Sequence, residues 1–333
     1  MAKVMLIDKI DGRFELTIRD VEAREPGPGE VRYRVHAVGL NRSDLMYMEG
    51  VHYAPTQLPS RVASEACGVV DAIGPGVTRF KPGDRVSAIP YIDPAYYVGG
   101  EFAISLEDYL TQWPDGVPAE EACAFWMQYV TAYFPLKVRS GLRQGKTILI
   151  IAASSSAGIG AIHLARLLGA EVIATSRTSA KADRLRAEGA HHVIATDEEV
   201  LDKRILEITG GRGVDVVYDP MAGDFNSRYV DALAEDAKVY IYGFLGGEPR
   251  LEYPLTPVVR RGATIQPYNA NRALDDPIAR EEAKLFLSLA WQAGRLKPRV
   301  DRIFPLEEAR AAYDYMRSGR QVGKIVLRTA LAD

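Results

Sequence analysis

The stretch over residues 147–181, TILIIAASSSAGIGAIHLARLLGAEVIATSRTSAK, constrains the fold of this chain more than any other. It opens on a run of consecutive apolar residues, 148–151, which suits a strand buried on both faces of a parallel sheet. A small-residue turn over 152–158 follows. Ile159, Ile162, Leu164 and Leu167 with Leu168 then recur at helical spacing, and Gly169 ends the helix. Residues 171–175 read as the next strand. Strand, helix and strand together have the size of one half of a dinucleotide-binding, doubly wound sheet.

Small residues at a helix start let a ligand approach the backbone, where amides without intrahelical partners face an anion such as a pyrophosphate. The pattern here is Ala152-x-x-Ser155-x-x-Gly158, in which Ser stands for a glycine of the usual spelling and adds a hydroxyl. Ser154, Ser155, Ser156, Ala157, Gly158 and Ile159 are therefore candidate cofactor contacts; the alternative is an ordinary turn between strand and helix. The end of the second strand selects the dinucleotide. An NAD site places Asp or Glu there for the ribose 2′-hydroxyl. This chain has Thr175-Ser176-Arg177-Thr178-Ser179-Ala180-Lys181 instead. Two cations and no carboxylate suit a 2′-phosphate, so Ser176, Arg177 and Lys181 point to NADPH rather than NADH. Otherwise Arg177 and Lys181 are solvated residues at the start of the next helix.

At 333 residues the chain has room for two domains. Hydrophobic content of 47% and charged content of 26% are those of a globular protein. A net charge of −3 and the lack of a basic run give no electrostatic reason to bind nucleic acid. Cys67 and Cys123 are too few for a disulfide scaffold and suit a reducing compartment. The N-terminus MAKVMLIDKIDGR has no signal-peptide pattern, and no apolar run reaches membrane-spanning length. The expected location is the cytoplasm, away from membranes.

Residues 1 to about 120 read as short strands between Gly/Pro turns. A pair over 4–7 and 14–18 surrounds Asp11-Gly12, and further strands fall at 31–35, 68–73 and 84–89. Mostly antiparallel strands with this punctuation suggest a small β-barrel. From about Trp126 helices and strands alternate: helices at 181–188, 200–209 and 226–234, strands at 192–195, 214–219 and 238–242. That alternation argues for a parallel doubly wound sheet, hence an α/β protein. Residues 281–293 and 306–316 read as helices, and 324–328 as a strand returning to the first domain.

Several short motifs follow one another along nearly the whole chain: Pro28-Gly29-Glu30-Val31, Gly39-Leu40-Asn41-Arg42-Ser43-Asp44, Gly74-Pro75-Gly76-Val77 and Pro82-Gly83-Asp84-Arg85-Val86, then Thr131-Ala132-Tyr133, the strand over 213–219, and Val322-Gly323-Lys324-Ile325-Val326. In this order they resemble the medium-chain dehydrogenase/reductase superfamily, and within it the zinc-free, zeta-crystallin-like quinone oxidoreductase branch. The resemblance implies a GroES-like catalytic domain over 1–125 and 303–333. Inserted in it the resemblance implies a Rossmann NADPH-binding domain over 126–302, with the active site in the cleft between them. It also implies a homodimer formed by Rossmann edge strands, for which Thr264-Ile265-Gln266 is the candidate.

Zinc-dependent relatives carry Cys at the position of Asn41 and His at that of Ser64, while Asp44 and Glu65 remain here. Catalytic zinc needs three protein ligands, so no metal is expected. Without one, the protein's task is to hold a hydride donor against the acceptor and to place hydrogen-bond donors where negative charge develops. A small, flat, conjugated acceptor suits this, because an enolate or hydroquinone anion spreads the charge. The resemblance thus implies an NADPH-dependent reductase of quinones or α,β-unsaturated carbonyls. An NADP-dependent alcohol/carbonyl oxidoreductase and a catalytically silent NADPH-binding protein are the alternatives.

By the same resemblance Asn41 is a donor near nicotinamide and substrate, and Asp44 is a structural or ribose-side partner. Tyr47 lies one residue beyond the position where the branch often has Tyr, here Met46. Tyr53 is a loop donor candidate, and Tyr129 lines either the cleft or the core. Tyr91, Tyr96 and Tyr97 would form an aromatic wall if their loop folds over the cleft. Thr131 matches a residue beside the nicotinamide ribose, and Gly243, Phe244 and Leu245 match the segment at the carboxamide. Asn269 belongs to the same sheet edge, and Lys324 reaches the cofactor or is a strand-edge cation.

Overall fold

The structure is a computed structural model that describes residues 1–11, 13–247 and 249–332. Gly12, half of the expected Asp11-Gly12 turn, lies outside the described residues. The chain divides into two compact units, Met1–Met127 with Lys297–Asp333, and Gln128–Leu296.

In the second unit, the described residues form a parallel sheet in the order His192–Ala195, Glu171–Ser176, Thr147–Ile150, Val214–Asp219, Leu233–Ile241, Thr264–Pro267. The chain starts in the middle, steps outward to one edge, then returns and steps to the other, which is the doubly wound order. Ile148, Leu149 and Ile150 are fully buried, with a paired strand on either side and the helix Ser156–Leu167 packed against their own strand. The order reverses between Thr147–Ile150 and Val214–Asp219. Ligands of such sheets bind beyond the strand carboxyl ends at that point.

The helix Ser156–Leu167 buries Ile159, Ile162 and Leu164. Its Gly160 is forced by backbone contact: a Cβ there would lie 1.9 Å from the Gln128 carbonyl oxygen. Gln128 belongs to the helix Phe125–Ala132, which widens into a π-helical stretch, Tyr133–Arg139.

One expected helix is absent. Over 226–234 the chain forms two short 3-10 turns, Phe225–Arg228 and Val230–Ala232, and the next strand already begins at Leu233. Tertiary contacts override the local pattern. The fully buried Tyr229 donates to Asp219 Oδ2 at 2.7 Å and meets Tyr253 at 2.7 Å, while Asn226 donates to the Gly223 carbonyl. The helix expected over 281–293 starts earlier, as Pro277–Gln292, because Asp276 caps the amides of Ile278 and Ala279 and Pro277 fits the first turn.

The first unit is built on Glu30–Leu40. This strand pairs antiparallel with Ala66–Ile73, Phe102–Leu106 and Lys324–Arg328. Leu40 lies opposite Ile325, so the C-terminal strand meets the strand that leads into Asn41. A smaller sheet joins Ala2–Ile10 to Arg13–Val21 and Ser60–Arg61. Met5, Tyr33, Leu45, Tyr47, Tyr313 and Leu327 lie in the unit's apolar core.

Candidate active site

In the second unit the turn after Thr147–Ile150 is fixed from both sides. The Ile151 amide donates to the Tyr218 carbonyl at 3.0 Å, and the Ala153 amide to the Thr175 carbonyl at 2.9 Å. Ala152 takes a left-handed backbone, φ 50°, which glycine would adopt without strain. Ser155 caps the helix, its Oγ accepting from the Gly158 amide at 3.0 Å. The first-turn amides of Ser156 and Ala157 are then left without intrahelical partners. Gly158 has no room for a side chain, since a Cβ would come within 2.7 Å of the Ala153 backbone. The turn thus has the shape and the open amides that a pyrophosphate needs.

Lys181 folds back onto this turn and donates to Ser154 Oγ at 3.1 Å, so the basic loop and the turn share one surface. Arg177 is exposed beside it. Ser176 is buried, and its hydroxyl donates to the Thr178 carbonyl at 2.6 Å. A carboxylate that the sequence reading passed over also belongs here. Glu198 Oε1 accepts from the Ser179 amide at 3.1 Å and from its hydroxyl at 3.3 Å.

At the carboxyl ends of the later strands, the Leu245 amide donates to the Pro220 carbonyl at 2.8 Å, which shapes Gly243-Phe244-Leu245. Tyr242, just before it, stacks on Tyr218 with ring centroids 4.0 Å apart. Asn269 caps the helix Ala270–Leu274 through Asn271. Thr131 is buried on the helix Phe125–Ala132. On the same helix, the hydroxyl of the fully buried Tyr129 meets His163 Nδ1 at 2.8 Å, and His163 Nε2 meets Glu188 Oε2 at 3.0 Å. That chain ties Tyr129 to two other helical segments and accounts for its hydroxyl.

In the first unit Asn41 ends the central strand and opens the helix Arg42–Met48. Its backbone amide donates to Asp44 Oδ2 at 2.7 Å, and Tyr313 donates to the same oxygen at 3.2 Å. Burial pushes the Asp44 carboxyl up to about 7, against the pull of the Asn41 amide and the Lys324 charge. Asp44 therefore closes the helix start. Lys324 does not present its ammonium to solvent: its side chain is 0% exposed, paired with the equally buried Glu65. It also donates to Asn41 Oδ1 at 2.6 Å.

The tyrosines divide. Tyr47 and Tyr97 are buried in the core, edge to face with centroids 5.2 Å apart. The Tyr47 hydroxyl donates to Ser60 and accepts from the Gln57 amide, which pins the following loop. Tyr97 thus turns inward instead of completing an aromatic wall. Tyr91 packs on Tyr109 at 4.3 Å, and Tyr96 donates to Glu30 Oε1 at 3.0 Å. Tyr53 is 58% exposed and lies against His52 at 4.1 Å.

The residues at the metal position of zinc-dependent relatives do not fit zinc. Asn41 and Ser64 offer neither a thiolate nor an imidazole. Among the described residues, no group of three or more His, Cys, Asp or Glu side chains could hold a metal ion.

Residues 27–130 match the family described as alcohol dehydrogenase GroES-like domain, and residues 157–287 match that described as zinc-binding dehydrogenase. The quinone oxidoreductase of Pseudomonas aeruginosa is 33% identical over 98% of this chain and 99% of its own length. The 2-haloacrylate reductase of a Burkholderia species is 32% identical over 98% of this chain and 99% of its own. The solved structure of Escherichia coli quinone oxidoreductase complexed with NADPH superposes with a TM-score of 0.88 at 26% identity, covering 98% of this chain and 99% of that one. One unit is GroES-like and the other carries a Rossmann-like parallel sheet. The chain belongs to the quinone oxidoreductase-like branch of the medium-chain dehydrogenase/reductase superfamily.

Proposed function

We propose that this chain is an NADPH-dependent oxidoreductase that delivers hydride to quinones or α,β-unsaturated carbonyl compounds without a catalytic metal. The observation that carries the cofactor choice is the end of Glu171–Ser176: a strand end with Arg177 and Lys181 and no carboxylate at the ribose position, beside a capped helix start. The names of the relatives support the reaction class, and one of them is solved with NADPH.

In this reading the amides of Ser156 and Ala157 and the Ser154 and Ser155 hydroxyls hold the pyrophosphate, while Arg177 and Lys181 pair with the 2′-phosphate. Gly243, Phe244 and Leu245 face the carboxamide through their backbone. NADPH supplies the hydride when bound. Asn41 then donates its amide hydrogens to the acceptor oxygen, where negative charge grows as hydride arrives. Because Asn41 and Ser64 replace the stronger zinc ligands, a conjugated acceptor that spreads this charge fits better than a simple ketone. Two free, buried cysteines fit a reducing compartment, the cytoplasm in this reading. The unit of assembly is a homodimer through the edge strand Thr264–Pro267.

The test is anaerobic NADPH oxidation with p-benzoquinone, 2-cyclohexenone and a saturated ketone, with a chelator control and product analysis. Turnover of quinone or enone, indifferent to chelator and faster with NADPH than NADH, is expected. Turnover of the ketone alone, or loss on chelation, would move the chain to the alcohol/carbonyl oxidoreductases. NADPH binding without any turnover would make it a silent binding protein.

A further inference from the structure

The buried pair of Lys324 and Glu65 has a consequence for Asn41. Both side chains are 0% exposed, and burying two charges is costly unless their remaining polar atoms are satisfied. Here they are. Glu65 Oε1 accepts from the Met127 amide at 2.7 Å, and Oε2 pairs with the Lys324 ammonium. Lys324 spends a further hydrogen on Asn41 Oδ1 at 2.6 Å. The packing leaves no slack. A Cβ on Gly39 would lie 2.8 Å from Lys324 Cε and 2.7 Å from the Cys123 carbonyl oxygen.

An ammonium can only donate, so the amide atom that faces it must be the oxygen. That fixes the orientation of the Asn41 amide, which leaves Nδ2 as a donor. Nδ2 makes two long contacts, 3.3 Å to the Gly39 carbonyl and 3.4 Å to Glu65 Oε2, both near the limit of a hydrogen bond. Either is readily exchanged for a better acceptor. A cation on the amide oxygen also draws electron density from the N–H bonds and strengthens them as donors.

We propose that Lys324 is a positioning residue for Asn41: it holds the amide with its NH2 free to turn to the acceptor oxygen, and it polarises that NH2. The inference rests on the reading of Asn41 as the donor to substrate. A purely structural Lys324 would neutralise Glu65 and do nothing else.

The experiment compares three variants of the full chain: N41A, the paired K324M/E65Q, and the triple N41A/K324M/E65Q. The pair removes both buried charges together, so neither is stranded. Expected for K324M/E65Q are NADPH affinity within about twofold of wild type by fluorescence titration, and KM for p-benzoquinone within about threefold. Its kcat should fall by about tenfold or more, the scale of losing part of an oxyanion donor. N41A should lose at least as much, and the triple variant no more than N41A, because both changes act through one group. Full activity of N41A would overturn the donor reading, and this inference with it. Loss in N41A with wild-type kcat in K324M/E65Q, or losses that multiply in the triple variant, would overturn the inference alone. If K324M/E65Q does not fold, K324Q/E65Q keeps a neutral donor to Asn41 Oδ1 and strands no charge. Its kcat should fall by about threefold, and a wild-type value would again overturn the proposal.

Discussion

Asp44 is a carboxyl whose surroundings decide its charge. It caps the helix Arg42–Met48 through the Asn41 amide, yet burial raises it to about 7 from an ordinary 3.8. The unfolded chain therefore gives up this proton at lower pH than the folded one. The stability tied to the protonated form is complete below 3.8 and is lost as pH rises through about 7. Asp44→Asn keeps an oxygen for the Asn41 amide and has no proton to lose. The unfolding free energy of this variant relative to wild type, read from thermal or urea melts, should rise steadily between pH 4.5 and 7.5, by an amount bounded at about 4 kcal/mol. A difference that stays flat across that range would mean that Asp44 titrates as an ordinary carboxyl. Gly160 makes the opposite kind of demand, on space alone. Gly160→Ala would add helix propensity of about 1 kcal/mol but drive its Cβ to 1.9 Å from the Gln128 carbonyl oxygen. Overpacking should win, with a net loss of about 2 kcal/mol or more in urea denaturation. An unchanged midpoint would show that the two helices separate without cost.

At the scale of elements, the loop after Glu171–Ser176 carries the cofactor choice, and it holds a competitor. Glu198 takes the amide and hydroxyl of Ser179, donors that an anionic phosphate would also use. Glu198→Gln should lower KM for NADPH by roughly fivefold, about 1 kcal/mol, and leave NADH nearly unchanged. Arg177→Glu should raise KM for NADPH at least about tenfold, with little effect on NADH. Equal effects on both cofactors, from either change, would remove the 2′-phosphate assignment. Much of this architecture was legible in the sequence, since the strands at His192–Ala195 and Val214–Asp219 follow from their apolar runs to the residue. What stayed hidden depends on distant partners. The helix expected over 226–234 gives way to turns because Tyr229 is held by Asp219 and Tyr253. Lys324 looks like a strand-edge cation in its local pattern. Its partner Glu65 is 259 residues away, and no spacing rule brings them together. Glu198 is hidden in the same way: it sits in the turn after His192–Ala195, beyond the loop whose own residues spell the phosphate site.

At the scale of the whole molecule, the sheet of the second unit ends on Thr264–Pro267, which among the described residues has a strand neighbour on one side only. An open edge offers unpaired amides and carbonyls to another chain, and proteins usually cover or charge it. Here the neighbouring sequence is apolar instead. The helix Leu255–Arg261 leaves Leu255 73% and Val259 68% exposed, one turn apart on the same face. Ile278, Leu285 and Leu289 on Pro277–Gln292 are also exposed, at spacings of seven and four residues that share a face. Exposed apolar side chains in the same unit as an unpaired strand edge favour burial against a second copy of the same chain, because a twofold arrangement pairs each edge with itself. Light scattering after gel filtration should accordingly give the mass of two chains. Leu255→Asp with Val259→Asp, or Ile265→Lys on the edge itself, should shift the protein to a single chain at micromolar concentration, since each places charge where apolar or backbone contact is needed. The thermal midpoint distinguishes assembly from damage. A monomeric variant that still melts cooperatively and binds NADPH would locate the interface at this edge. Retention of the double mass in both variants would send the search to another face, and a wild-type chain that runs as a monomer would end the dimer reading.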